Sequence, residues 1–410
     1  MLFIQKLKST CYNSNMKLTY QYKLRPTTEQ EVVMQRWLDM LRAQYNWMLA
    51  DRFDWWESNR CPVNACSLRQ NVVQLRDNPD YYSQKKHLPQ LKKDRPWYKE
   101  IHSQVLQEVA KQVKTTFDRF IKGDKNGKRS GRPRFKGANR FRTFTYPQIK
   151  PDCLQDSRVN LPRIGKVKLI QHRPIPDGFT IKTAKVTRKA DGWYINLFIQ
   201  DDSIPDGVVD ADLSKSVGID MGLKDFLATS DGEYVAIPQY FRKSEAKLAK
   251  LQKQLTRQKK FSNRWKKQVN RVAKLHQKIA RQRRDFFSKV WDWLFSKYNV
   301  VVHEKLNIKG LARTRLAKSI ADAAWGTFLD MGSFKASKAG KMTIASDPRS
   351  TSINCSGCGE RVPKTLSDRL HECPSCGLTI CRDKNAAINI KNRGVGHQPL
   401  NLSGNVRAVA

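Results

Sequence analysis

The chain has 410 residues, 39% of them hydrophobic. That is enough for roughly two to four packed domains, and it excludes both a single ordinary core and a disordered polypeptide. Lys and Arg number 77 against 37 Asp and Glu, a formal charge of +40 that repels itself unless a polyanion neutralises it. No apolar run approaches the roughly 18–20 residues of a spanning helix, and the first fifteen residues lack the pattern of a signal peptide. An extensive nucleic-acid contact in a cytoplasmic setting is therefore expected rather than a membrane. The odd count of nine cysteines, five of them scattered (Cys11, Cys61, Cys66, Cys153 and Cys381), argues for reduced thiols in the same compartment.

Residues 1–15 read as a detached leader, and Met16 is a second candidate start. MKLTYQYKLRPT alternates like a strand. Thr28 and Glu31 are placed for a capping box, and Val33, Trp37, Leu41 and Met48 follow at helical spacing. A polar, Pro-containing stretch covers 59–96. A second helix then carries Val105, Val109, Val113, Phe117 and Phe120 on one face. Gly, Pro and dense cations in 122–146 argue against a regular helix there. LPRIGKVKL at 161–169 reads as a strand. Two more strands follow around Asp191-Gly192, a good hairpin turn pair. Residues 150–202 thus form a β-rich module which, with the first strand, predicts a barrel-like unit interrupted by helices.

A new unit starts near residue 215. SVGID is a short buried strand, FLATS with Asp231-Gly232 continues it as a hairpin, and YNVVVHEKL and KMTIASDP are further strands. Between them, residues 242–284 hold seventeen Lys or Arg against one acid, Glu245, on two amphipathic helices broken near Phe261-Ser262-Asn263. Strands separated by helices predict an α/β domain. A solvated face would not be so one-sided, so phosphate contact is expected, with Lys259, Lys260, Lys266 and Lys267 foremost.

Three constellations bear on chemistry. Cys355-x2-Cys358 and Cys373-x2-Cys376, fourteen residues apart, have the spacing of a tetrahedral structural Zn2+ site. Redox dithiols are the other reading, and His371 is read as a bystander. Asp220, Glu304 and Asp383 lie at or after strand ends. Each alone is commonly a cap or a solvated loop residue, whereas three on one α/β domain have the chemistry to bind two Mg2+. His303 should face away from Glu304, toward the core. Arg132, Arg134, Phe135, Lys136, Arg140 and Phe141 interleave charge with rings, as in a surface that pairs phosphates and stacks bases. The alternative is a basic linker whose aromatics anchor it.

Taken in order, YNWMLADR, GRPRFK, LPRIGKVKL, GIDMGLKDF, HEKLNIKG, SIADAAWGTF, TSINCSGCG and CRDKNAAINI resemble the motifs of the TnpB (OrfB) family. These are transposon-encoded RNA-guided DNA endonucleases related to type V CRISPR effectors, and the resemblance spans nearly all of 16–395. It implies a multidomain α+β and α/β chain in which a β-barrel wedge domain (16–26 and, after a basic linker, 122–214) is interrupted by a helical recognition lobe (27–121). An RNase H-like RuvC nuclease domain would follow (215–350), then a zinc-ribbon insert (351–380), the last RuvC segment (381–395) and a flexible tail (396–410). By the same resemblance Asp220, Glu304 and Asp383 are the catalytic acids. The partners would be a guide RNA from the element and double-stranded target DNA read beside a short adjacent motif. Three departures stand out: Cys381 and Ser288 replace an Asp and a His that many relatives carry, and the leader 1–15 has no counterpart. A repressor that binds without cutting, or a transposase acting on element ends, are the alternative functions.

Overall fold

The computed structural model describes residues 15–59, 77–124, 126–205, 211–365 and 367–396. Most of the leader, Cys11, Cys61, Cys66 and the tail from 397 lie outside the described residues. Two compact units divide the chain, Met1–Asp206 and Gly207–Ala410.

In the first unit, β1 (Asn15–Arg25) leads into α1 (Thr28–Ser58). The capping box forms one residue earlier than expected. The Thr27 hydroxyl accepts from Gln30 N (3.3 Å), and Gln30 Oε1 accepts from Thr27 N (3.1 Å). Pro26 ends the strand, so Thr27, the first capping side chain after it, takes the cap and Thr28 becomes helical. The polar stretch holds two helices too short to show a period, α2 (Tyr81–Lys86), capped by Asp80, and α3 (Leu88–Asp94). The second expected helix is α4 (Ser103–Ile121), with Val105, Val109, Val113 and Phe117 buried and Phe120 at the edge of the core.

The remaining strands are β2 (Thr143–Tyr146), β3 (Leu154–Gln155), β4 (Arg158–Leu161), β5 (Gly165–Ile170), β6 (Thr180–Lys189) and β7 (Gly192–Pro205). They form an antiparallel sheet in the order β2-β6-β7-β1-β5-β4-β3, curled into a half-barrel. LPRIGKVKL is not one strand. Arg163 turns at φ 71°, dividing β4 from β5. The β6–β7 turn is Ala190-Asp191, because Lys189 pairs with Gly192, which opens β7. The helices close one side of the sheet through a single core, with Trp37 tilted 5.6 Å from Phe144 and Tyr45 6.0 Å from Phe141.

The second unit begins with β8 (Ser216–Asp220), β9 (Asp225–Thr229) and β10 (Tyr234–Ala236), an antiparallel meander. A basic hairpin follows, α5 (Tyr240–Thr256) and α6 (Asn263–Lys297), joined through Leu248, Leu275 and Ile279. Then come β11 (Val300–Glu304), α7 (Ile308–Leu311), α8 (Ala317–Ala323), α9 (Trp325–Lys338), β12 (Met342–Ser346), β13 (Leu370–Glu372), β14 (Thr379–Cys381) and α10 (Arg382–Val395). The sheet order is β10-β9-β8-β11-β12, with β11 parallel to both β8 and β12.

Alternation divides the faces of this sheet. Val217, Ile219 and Val301 meet Phe287, Trp291 and Phe328 of α6 and α9, where Trp291 and Phe328 stack at 4.8 Å. Gly218, Val300 and Val302 face α10, and Val300 and Val302 pack with Ile390. Gly218 is small for a reason: a Cβ there would stand 2.0 Å from the Ala387 carbonyl oxygen. α10 therefore lies directly on β8.

Candidate functional site

The same alternation places the acids. Asp220 follows Gly218 by two residues and Glu304 follows Val302 by two, so both side chains project on the face that α10 covers. Val302 pairs with Gly218 and His303 with Ile219, which makes Glu304 and Asp220 neighbours at the same end of adjacent parallel strands. Asp383 sits in the first turn of α10. Burial, then the charges of Glu304 and Asp383, push Asp220 up to about 7, with Arg382 opposing. Such crowding of carboxylates is what a cation relieves. Burial also raises Glu304, countered by the Thr351 hydroxyl and by Arg393. Asp383 is flanked by Arg382 (Nε 3.3 Å) and Arg369 (4.0 Å). His303 is buried, and its Nδ1 lies 3.0 Å from the Glu304 carbonyl oxygen, which only accepts. Its proton is thereby committed to the backbone, and burial keeps the ring neutral.

The four cysteines gather so that their sulfurs lie within 4.8 Å of one another. Among the described residues they are the one group of three or more His, Cys, Asp or Glu placed to hold a metal ion. Two identical turns build the cluster. Gly359 N donates to Cys355 O and Gly377 N to Cys373 O, both at 2.9 Å. Gly359 (φ 79°) and Gly377 (φ 72°) occupy the left-handed region each turn requires. Burial raises Cys355 and pushes Cys358 up to about 12, whereas at Cys373 the effect of burial is outweighed by the backbone N–H groups of Cys376 and Ser375 and by the neighbouring thiols, which bring it down to about 7. A bound cation would displace the thiol protons. His371 lies outside the group, its Nδ1 against Lys364 Nζ.

Residues that the sequence reading passed over link the cluster to the acids. Asn385 Oδ1 accepts from Ser356 N (2.9 Å), and Asn385 Nδ2 donates to Asn354 O (2.8 Å). Asn389 Nδ2 donates to Thr351 O (2.8 Å) and Asn354 O (2.7 Å). Thr351, buried, donates its hydroxyl to Glu304 Oε1 at 2.6 Å. The signal was visible, because Asn385 and Asn389 are four apart on one helix face. Cys381 precedes the first turn of α10 and meets the Tyr234 hydroxyl. Ser288 Oγ accepts from Lys335 Nζ (2.8 Å).

The basic run in the first unit is partly as expected and partly not. Arg134, Phe135, Lys136, Arg140 and Arg142 line a cleft of about 380 Å3, with the Phe135 ring exposed. Phe141 is instead buried against Tyr45, which removes it from base stacking. An apolar ring on the core side of a loop finds burial more favourable than solvent. Arg132 is engaged by Glu57 and lies over Phe53 at 4.3 Å. In the second unit Lys259, Lys260, Lys266 and Lys267 are exposed around the tip of the α5–α6 hairpin.

Three family profiles match along the chain: a helix-turn-helix domain at 16–61, the OrfB profile described as "Probable transposase" at 204–315, and a Cas12f1-like TNB domain at 325–390. The first of these falls on one strand and one 31-residue helix. The "Putative RNA-guided DNA endonuclease InsQ" of Escherichia coli (strain K12) is 28% identical over 92% of this chain and 92% of its own length. A "Putative RNA-guided DNA endonuclease" of Streptomyces pristinaespiralis is 28% identical over 93% and 90%. "TnpB-like protein L79" of Acanthamoeba polyphaga mimivirus is 28% identical over 44% of this chain and 37% of its own length. Among solved structures, a Cas12f1-sgRNA-target DNA complex is similar with a TM-score of 0.48 and 14% identity, covering 92% of this chain and 99% of that one. With three profiles in register and two relatives aligned nearly end to end, the chain is similar along most of its length to proteins of the TnpB (OrfB) family.

Proposed function

We propose that this protein is a transposon-encoded, RNA-guided DNA endonuclease that hydrolyses phosphodiester bonds with Asp220, Glu304 and Asp383. The observation that carries the reading is the meeting of three acids from β8, β11 and α10 at one end of one sheet, with Asp220 raised to about 7 by burial and by the other two. The strand order of the second unit supports an RNase H-like nuclease core, and the names of the two long-aligned relatives support RNA guidance.

The residues divide the work as follows. Asp220 and Glu304 offer oxygens from adjacent strands whose ladder fixes their separation. Asp383 is delivered by α10, which rests on Gly218. Thr351 holds Glu304 in one rotamer, leaving its other oxygen free. These three carboxylates would hold divalent cations (two Mg2+ in this reading), which would supply activation of water and stabilisation of the leaving oxygen. The four cysteines suit Zn2+, whose role is structural, because four thiolates fill a tetrahedral site. Through Asn385 and Asn389 that module braces α10, and with it Asp383. The exposed cations of both units take the phosphates of guide and target.

Sequencing the RNA that copurifies with the full-length protein tests the guide. One discrete RNA from the element's own end is expected. Bulk cellular RNA alone would remove the guided mechanism. The family profile's description favours a second reading, strand transfer on transposon ends, which would appear as joined rather than hydrolysed products.

A further inference from the structure

The connection between α5 and α6 carries an aromatic residue in an unusual position. Phe261 is 72% exposed, one of the most exposed large apolar side chains among the described residues. Its backbone is left-handed, at φ 69°. Of the eight non-glycine residues with positive φ among the described residues, it is the one aromatic. A bulky side chain is disfavoured there, and glycine would fit without strain. Its ring leans on Trp265 at 5.5 Å and 54°, so the two rings form a small platform rather than a core. Six cations surround it within 257–267: Arg257, Lys259, Lys260, Arg264, Lys266 and Lys267. No acid interrupts them, all six are exposed, and no carboxylate among the described residues pairs with any of them.

The rest of the hairpin is built to present this tip. At its base, buried Asp322 of α8 accepts from Phe241 N (3.0 Å) and Arg242 N (3.2 Å) and pairs with Arg283 of α6 at 2.9 Å. Seventeen residues of α5 then carry the tip about 25 Å from that anchor. A strained, solvent-facing ring has no stabilising role in the fold. A ring ringed by unpaired cations matches one ligand chemistry, a flat aromatic base on a polyanionic backbone.

We infer that Phe261, backed by Trp265, is a stacking platform for an unpaired or terminal nucleobase, with the six cations taking the flanking phosphates. This rests on the nucleic-acid reading above and adds a residue and a contact class to it. The test uses the full-length protein stripped of nucleic acid, with fluorescent 20-mer single-stranded RNA, DNA of the same sequence and the blunt DNA duplex. Each strand carries 2-aminopurine, and binding is measured across a salt series.

Phe261→Gly relieves the left-handed strain, so its melting temperature should not fall. Its affinity for one or both single strands should drop about 5- to 100-fold, the range of one lost stack. The strand that loses affinity identifies the source of the base. The salt slope should be unchanged, whereas Lys259→Ala/Lys260→Ala should flatten it. Phe261→Trp should bind within about twofold of wild type. Wild-type binding retained by Phe261→Gly on all three probes, with the same 2-aminopurine signal, would overturn the platform and leave the nucleic-acid reading standing. A wild-type protein that binds none of the probes would overturn both.

Discussion

Asp220 ends β8 half-buried, and desolvation together with the charges of Glu304 and Asp383 raises its pKa to about 7. The sign of the consequence follows from linkage. Between the ordinary carboxylate value of 3.8 and about 7 the folded protein holds a proton that the unfolded chain has released. Stability without Mg2+ therefore declines as pH rises through that window and is lowest above it, by on the order of 4 kcal/mol from this group. Asp220→Asn should flatten the decline. At pH 8 without Mg2+ it should melt higher than wild type and yet fail to cleave. Melting curves of both proteins from pH 5 to 8 check this, and a wild-type-minus-variant difference independent of pH would contradict it. Thr351 makes a second residue-scale case. Thr351→Val keeps the shape and removes the bond to Glu304, so the Mg2+ needed for half-maximal cleavage should rise about 10- to 100-fold with little change in melting. Thr351→Ser should restore it. Their positions at or after strand ends singled out the three acids, though for each alone a cap or loop role was the commoner reading, and the family motifs turned the balance toward metal binding. Thr351 went unread because its role depends on a loop returning to β11 forty-seven residues later.

Elements were most legible where periodicity is local and long. α4, α5, α6 and the core strands β8 and β11 fall where the apolar spacing put them. Boundaries moved where one turn residue decided them, as at Thr27, Arg163 and Ala190-Asp191. α2 and α3 escaped because six or seven residues are too few to show a face. The contact of α10 with β8 was not legible at all, since nothing in SVGID announces that its glycine receives a helix. Gly218→Ala tests that contact. The added methyl would stand 2.0 Å from the Ala387 carbonyl, so α10 must lift. A loss of about 3 kcal/mol in stability is expected, together with a fall in cleavage rate as Asp383 withdraws. An unchanged urea midpoint would contradict the packing described here. The four-cysteine module is the opposite case: two CxxC pairs and their glycines were sufficient, because each turn is encoded within five residues.

At the scale of the whole chain, the pairing of β1 with β7 joins residues up to 190 positions apart, with the helices of the first unit folded out between them. Alternation in MKLTYQYKLRPT called for a strand, and the surplus of strands after 150 called for a partner sheet, yet the central place of β1 emerged only in three dimensions. The charge of +40 was readable at once as affinity for a polyanion, though not which cations would be free. Arg132 proved to be held by Glu57, and Phe141 to belong to the core. Both units follow one plan, in which an apolar frame carries cations outward, and in the second unit it also brings acids together at one sheet end. The claim that joins these features is guided hydrolysis at Asp220, Glu304 and Asp383. It is tested most directly by incubating a plasmid bearing the guide-complementary sequence with the protein, its copurified RNA and Mg2+, in parallel with Asp220→Ala. The account predicts linear product at the matched site from wild type only, and none when the guide match is scrambled. Equal cleavage by Asp220→Ala, or guide-dependent binding with no cleavage by wild type, would contradict it.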